Sequence, residues 1–493
     1  MQLRNPRELA RRGGVLKLDQ TKITVLVLPL ALLGACAAGP DYVRPAVEAP
    51  AAFKEGWKQA EPRDREERGR WWEVFSDPLL NSLQAQVDIS NQTLVRAEAQ
   101  FRQAAALVDS ARAGYFPSIG GGLSTTRSRA SASTTAQPSA VPVSRGVATN
   151  YNLSFNASWE ADVWGRIGRT VEASVAGAQA SGADLEAARL SAHAQLAQSY
   201  FQLRALDAQR QLLDDTIAAF EKSLQLTQNR YAAGVAAKAD VVQAQTQLKT
   251  TQAQAIDTGI SRAQLEHAIA LLVGKAPSEL SIARAPLAAR PPSIPAGLPS
   301  ELLERRPDIA AAERRAAAAN AQIGIAKAAY FPSFTIAAAT GYQSASMAQW
   351  FTAPSRFWSI GPALALSLLD GGLRRSQSDQ AIAAYDASVA AYRQTVLTAF
   401  AEVEDNLAAL RILEQEAQVQ DEAVKSARLS LELTLNQYKA GTVSYLNVTA
   451  AQATALANER TAVDILNRRL AASVLLIKAL GGGWSNASLR LPQ

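Results

Sequence analysis

Residues 110–124, SARAGYFPSIGGGLS, resemble residues 325–341, IAKAAYFPSFTIAAATG. Residues 227–248, TQNRYAAGVAAKADVVQAQTQL, resemble residues 434–455, TLNQYKAGTVSYLNVTAAQATA. VWGRIGR at 163–169 stands where LLDGGLRR stands at 368–375. The order and spacing agree, so the chain reads as an internal duplication. Whatever one half folds into, the other should fold into as well. Between the halves lies 281–300, SIARAPLAARPPSIPAGLPS, whose prolines and lack of periodicity mark a connector.

Each half carries the same signals. A helix opens at a proline, Asp77-Pro78 in the first half and Arg306-Pro307-Asp308 in the second. Proline suits the first helical position, and a nearby acid suits the positive helix start. The helix should end at Tyr115-Phe116-Pro117 or Tyr330-Phe331-Pro332, because proline disfavours helix in the residue before it. Strands are expected next, weak ones at 115–126 and 330–342 and stronger ones after them. In YNLSFNASWEADVW, Tyr151, Leu153, Phe155, Ala157 and Trp159 share one face, and Asn152, Ser154, Asn156, Ser158 and Glu160 the other. In FWSIGPALALSLLD, Trp358, Ile360, Leu364, Leu366 and Leu368 share a face. Loops 127–149 and 344–356 turn each pair into a hairpin. A helical run without proline follows, about 165–231 and 371–438, long enough to reach roughly 100 Å. Each run ends at Tyr-x-x-Gly, Tyr231 with Gly234 and Tyr438 with Gly441, and glycine is the expected residue just past a helix. Return helices are expected over about 238–273 and 445–479.

Four long strands cannot close a barrel alone, since small closed barrels need about eight. One apolar face suits lipid outside and water inside. Tyr151, Trp159, Trp164, Phe357 and Trp358 near strand ends suit interfacial girdles. A barrel shared between chains follows: three copies give twelve strands, and two give eight with little lumen. A soluble sandwich also explains the alternation, but it leaves the N-terminus and the long helices without a reason.

That N-terminus is basic over 1–22, apolar and uncharged over 23–33 (ITVLVLPLALL), and then reads Leu33-Gly34-Ala35-Cys36. The apolar run is too short for a transmembrane helix and suits a signal-peptide core. The last four residues look like a bacterial lipobox, with Cys36 as the residue that carries lipid. The resemblance to bacterial lipoproteins implies that Ala37, in place of an aspartate, allows export to the outer membrane. Cys36 is the only cysteine, so no intramolecular disulfide or cysteine zinc site is possible. His193 and His267, the two histidines, are too few for most metal chemistry. The net charge is +6, yet residues 1–35 hold six basic residues against two acidic ones. The rest is near neutral, which removes the case for nucleic acid. No P-loop and no convergent catalytic set appears, so no enzyme is expected, and no cofactor beyond the covalent lipid.

The segments CAAGPDYVRP, WWEVFSDPLL, the two Tyr-Phe-Pro-Ser motifs, LLERRPDIAAAERR, YKAGTVSYLNV and KALGGGW together resemble the TolC-type outer-membrane factors, in their OprM- and NodT-like lipoprotein branch. The resemblance covers nearly the whole chain after the signal. It implies a mixed α and β membrane protein, a homotrimer with a 12-stranded outer-membrane β-barrel, four strands per chain, continuous with a long periplasmic α-helical barrel. It implies a passive exit duct for drugs or other small molecules. Its partners would be a periplasmic adaptor, an inner-membrane RND-type pump and outer-membrane lipid. The turns 231–240 and 438–447 would form the periplasmic tip that meets the adaptor and narrows the pore. Tyr231, Gly234, Asp240, Tyr438, Gly441, Leu446 and Asn447 are the candidate residues there. Relatives often hold an acidic ring near the second tip; Asn447 and Ala450 occupy those positions, while Asp240 keeps an acid in the first. The expected layout is 1–35 signal, 36–77 lipid-anchored segment, 78–280 first repeat, 281–300 connector, 301–482 second repeat and 483–493 tail.

Two other readings compete. A periplasmic coiled-coil adaptor lipoprotein would show one helical hairpin between small β-domains, and a type I secretion component would share the duct architecture. If the lipobox reading holds, labelled palmitate enters the wild type and is absent from Cys36→Ala.

Overall fold

The computed structural model describes residues 38–50, 52–54, 69–129, 147–294 and 302–484. The signal segment, Cys36, most of loop 127–149, the end of the connector and most of the tail lie outside the described residues. The order is α1 (Pro78–Ser90), α2 (Gln92–Ala113), β1 (Ser118–Ser128), β2 (Ala148–Ala161), α3 (Arg166–Ala232) and α4 (Lys238–Leu272). It continues with α5 (Leu302–Arg305), α6 (Pro307–Ala328), β3 (Ser333–Ser344), β4 (Arg356–Ala365), α7 (Leu373–Ala440) and α8 (Tyr445–Ala479). α3 and α7 have 67 and 68 residues, so each runs about 100 Å. Among the described residues no helix is long and apolar enough to cross a membrane. The described residues divide into two compact units, one built on those of 38–42, 109–173 and 319–385, the other on those of 43–108, 174–318 and 386–484.

The first unit holds one antiparallel sheet in the order β1-β2-β3-β4. The central pairing joins the two hairpins, with Trp159 opposite Ile336 and Leu153 opposite Tyr342. The register sorts the side chains. Ile119, Leu123, Leu153, Phe155, Trp159, Phe334, Ile336, Trp358, Ile360 and Leu364 share one face. That face is bare: Ile119, Trp358 and Leu364 are 75%, 72% and 68% exposed. Asn152, Ser154, Asn156 and Ser158 lie on the other face beside Ser124, Gly122, Gly120 and Ser118. All four helix junctions lie at one end of the sheet, so the hairpin loops lie at the other.

Several boundaries differ from the sequence expectation, each for a local reason. The first helix is broken at Asn91. Its Oδ1 accepts from the Thr93 and Leu94 amides and starts α2, while its Nδ2 donates to the Leu272 carbonyl. β1 and β3 begin at Ser118 and Ser333, not at the tyrosines. Tyr115 and Phe116 still donate into the last turn of α2, and Tyr330 and Phe331 into that of α6. β4 stops at Ala365, which pairs with Ser333. The next residue on the partner side is Pro332, which has no N–H to extend the ladder. Leu366 and Leu368 therefore lie beyond the strand, and Leu368 is exposed. Phe357 faces the polar side opposite Gly341, away from Trp358. Trp164 sits past β2, stacked on Phe331 at 4.7 Å. Neither joins the apolar face.

At the same end, residues 38–41 are moored in the first unit. The Ala38 amide donates to the Trp164 carbonyl, Arg169 donates to the Ala38 carbonyl and to Asp41, and Asn320 donates to the Pro40 carbonyl. Gly39, at φ +93°, leaves room for the backbone of Gly324.

The core of the second unit is built on α1, α3, α7 and α8, around Leu80, Phe201, Leu203, Val396, Val403 and Leu476. A polar chain runs beside it. Asp77 caps α1 through its Oδ1, which accepts from the Leu79 and Leu80 amides. Its Oδ2 accepts a 2.6 Å bond from the Tyr200 hydroxyl. Arg204 donates to that hydroxyl and to Asp207, and Asp207 also accepts from Arg262. Burial, with the bond to Asp77, pushes the Tyr200 phenol up to about 12, against the opposing pull of Arg204. The folded state therefore holds a proton that the unfolded chain releases above pH 10, so this contribution is present below pH 10 and lost as pH rises through about 12. Thermal unfolding followed across that window should show a smaller alkaline loss of stability in Tyr200→Phe than in the wild type.

Candidate functional site: the two interhelical turns

The long and return helices are joined by two short turns in the second unit. Both use the same cap. Gly234 and Gly441 adopt φ of +75° and +80°. In the first turn, Gly234 donates to the Tyr231 carbonyl and Val235 to the Arg230 carbonyl. In the second, Gly441 donates to the Tyr438 carbonyl and Thr442 to the Gln437 carbonyl. These bonds satisfy carbonyls that the helix end leaves open. A residue with a Cβ would be strained at either glycine.

The side chains then make the turns unlike. Tyr438 and Tyr445 are 2% and 1% exposed, with their rings 5.4 Å apart at 64°. Both lie on the last turns of α3: the Tyr438 hydroxyl donates to Thr227 Oγ1, and the Tyr445 hydroxyl pairs with Ser223 Oγ at 3.2 Å. Arg230 covers the Tyr438 ring, 4.8 Å from its centroid, and donates to the Lys439 carbonyl. Ala244 and Val448 complete the buried cluster. Burial pushes the Tyr445 phenol above its ordinary value, and Asp240 adds to that through its charge. The first turn has no such cover, and Tyr231 and Val235 are exposed.

The structure thus brings Tyr438 and Asp240 towards one cluster and leaves the other candidates outside it. Asp240 is half-buried in the first turn of α4, where a carboxylate complements the helix dipole. Leu446 and Asn447 are exposed on the first turn of α8, and Tyr231 is exposed at the end of α3. Cys36 lies outside the described residues. Sequence reasoning missed Arg230 and Tyr445. The signal was present: in the matched strings Arg230 stands opposite Gln437 and Lys238 opposite Tyr445. The arrangement offers packing and hydrogen bonding, with an exposed leucine, asparagine and tyrosine available to a neighbouring surface.

Comparison with known proteins decides the setting. Residues 83–275 and 298–482 match the outer membrane efflux protein family. The chain belongs to that family. It is 32% identical over 485 residues to the toluene efflux pump outer membrane protein TtgF of Pseudomonas putida, covering 95% of this chain and 98% of that one. It is 31% identical over 465 residues to the pyoverdine export outer membrane protein OpmQ of Pseudomonas aeruginosa, covering 94% and 97%. Its structure is similar to that of the outer-membrane channel OprN, with a TM-score of 0.84 at 31% identity over 91% of this chain and all of the other. The protein is an outer-membrane efflux channel that extends into the periplasm, and its family is one of channels rather than enzymes.

Truncating Tyr438 should loosen the second turn alone. Tyr438→Ala removes a buried ring, a change that costs about 3 kcal/mol where the site cannot collapse. Arg230→Ala removes a stacked cation and one hydrogen bond, at about 1 kcal/mol. Amide hydrogen exchange over 434–445 should accelerate most in Tyr438→Ala and less in Arg230→Ala, with exchange in β1–β4 unchanged.

Proposed function

We propose that three copies of this chain close a 12-stranded barrel, with the long helices walling a periplasmic tunnel, and that the assembly is the passive exit duct of a tripartite efflux system. The observation that carries this reading is the sheet. It has four strands, two open edges, one bare apolar face and one face of small polar residues. Backbone groups in hydrocarbon need partners, and in a sheet only closure supplies them at both edges. One copy is too small to close and two leave little lumen, so three is the smallest number that gives a conduit. Outside this barrel the apolar face meets lipid; inside it Asn152, Ser154 and Asn156 meet water.

The remaining parts follow the family. A lipid on Cys36 would add an anchor. The exposed Tyr231, Leu446 and Asn447 at the turns would meet a periplasmic adaptor, which links the duct to an inner-membrane RND-type pump that supplies the energy. The cargo is a small molecule, drugs included. One relative is named for toluene and another for pyoverdine, so cargo is not set by the architecture they share. Catalysis has no part in this role.

Two measurements test it. Detergent-extracted protein should run as a trimer by light scattering, and it should conduct ions across a planar bilayer. A monomer without conductance would overturn the duct.

A further inference from the structure

The loop end of the sheet has a one-sided charge. From Ser118 to Ser158 the chain has three arginines, Arg127, Arg129 and Arg145, and no Asp, Glu or Lys. From Ser333 to Leu369 it has one arginine, Arg356, and again no Asp, Glu or Lys. Arg145 lies outside the described residues; the other three are exposed. Arg127 is the penultimate residue of β1, and Arg356 is the first of β4. Both therefore stand at the loop end, far from the helix junctions.

The register also gives their face. Arg127 follows Ile119 and Leu123 at even spacing, so it lies on the apolar side. Arg356 precedes Trp358, Ile360 and Leu364 at even spacing and pairs with Tyr342, so it lies there too. Each guanidinium thus ends an exposed apolar stripe, and Arg356 has Trp358 and Tyr342 beside it. The register sets Arg356 level with Leu123, four residues short of Arg127. Three strand spacings separate β1 from β4, so the two arginines stand about 19 Å apart, a span that two long guanidinium side chains narrow towards a lipid carrying two phosphates. A cation at the end of an apolar stripe, flanked by aromatic rings, matches a lipid with a negative headgroup. The one carboxylate in the described strands, Glu160 of β2, lies on the polar side at the helix-junction end, where it accepts from Arg166.

We infer that the loop end of the apolar face is a binding surface for a phosphorylated glycolipid of the outer leaflet, with phosphate on Arg127 and Arg356 and acyl chains along Leu123 and Ile360. The inference rests on the barrel reading above, which turns this face to lipid. Guanidinium groups bind phosphate by paired, charge-assisted hydrogen bonds, which lysine gives only as a point charge. The surface lies on the side of the sheet opposite the conduit, so it acts on how the channel is held in the membrane.

Native mass spectrometry of the full-length assembly tests this. Wild type, Arg127→Ala/Arg356→Ala and Arg127→Lys/Arg356→Lys are each mixed with bis-phosphorylated lipid A, dephosphorylated lipid A, phosphatidylethanolamine or inorganic phosphate. Wild type should keep bis-phosphorylated lipid A through detergent exchange, and the double alanine variant should keep about thirtyfold less, as expected for two lost cationic contacts. The double lysine variant should fall between them. Equal retention by the alanine variant, or equal retention of the dephosphorylated lipid, would overturn the inference. So would full displacement of the lipid by inorganic phosphate, which marks a free-anion site. The same spectra report the oligomer: a trimer without lipid selectivity sinks this inference alone, and the absence of a trimer sinks the barrel with it.

Discussion

The pleat of the β-strand is the constraint on which the rest depends. It sends successive side chains to opposite faces, so a strand can serve two solvents at once. Here it places the isoleucines, leucines and tryptophans of the four strands on one side, with Phe155 and Phe334, and Asn152, Ser154, Asn156 and the small residues beside them on the other. A slip of one residue in β2 would turn Asn152, Ser154 and Asn156 onto the apolar face and Phe155 onto the polar one. The glycines of β1 fit the same logic. Gly120 and Gly122 lie on the polar side beside Asn156 and Ser154, and Gly121 lies on the apolar side against the Phe155 ring.

Much of this was legible in the sequence because it is periodic. Alternation announced β2 and most of β4, and proline-free runs announced α3 and α7. The Tyr-x-x-Gly signals placed both turns, where left-handed glycines stand. What was not legible depends on contacts between distant residues. The break at Asn91 needs the Leu272 carbonyl, 181 residues away. The end of β4 is set by its partner, through Pro332. Phe357 stands near a strand end, which suits a girdle, whereas one step of register puts it on the polar side. The pairing of β2 with β3, which makes one sheet of two hairpins, leaves no mark in either strand.

The turns show how a repeated sequence comes to serve unequal ends. Their backbones are alike, since the same glycine cap closes both. Two differences between the halves separate them, Arg230 against Gln437 and Tyr445 against Lys238. Together they bury the second turn against α3 and leave the first open. Position 447 holds an asparagine, while Asp240, at the matching position of the first turn, lies close enough to Tyr445 to affect its phenol. Of the two turns, only the first therefore carries a carboxylate.

The open edges of the sheet carry a further consequence. β1 and β4 have 11 and 10 residues, each with one side paired in this chain. In the proposed trimer neighbouring copies complete this backbone, so its stability depends, by mass action, on how many copies share the bilayer. Halving expression would then lower the folded fraction, not merely the number of channels. A variant weakened at an edge strand would fail first in sparsely populated membranes and recover in crowded ones.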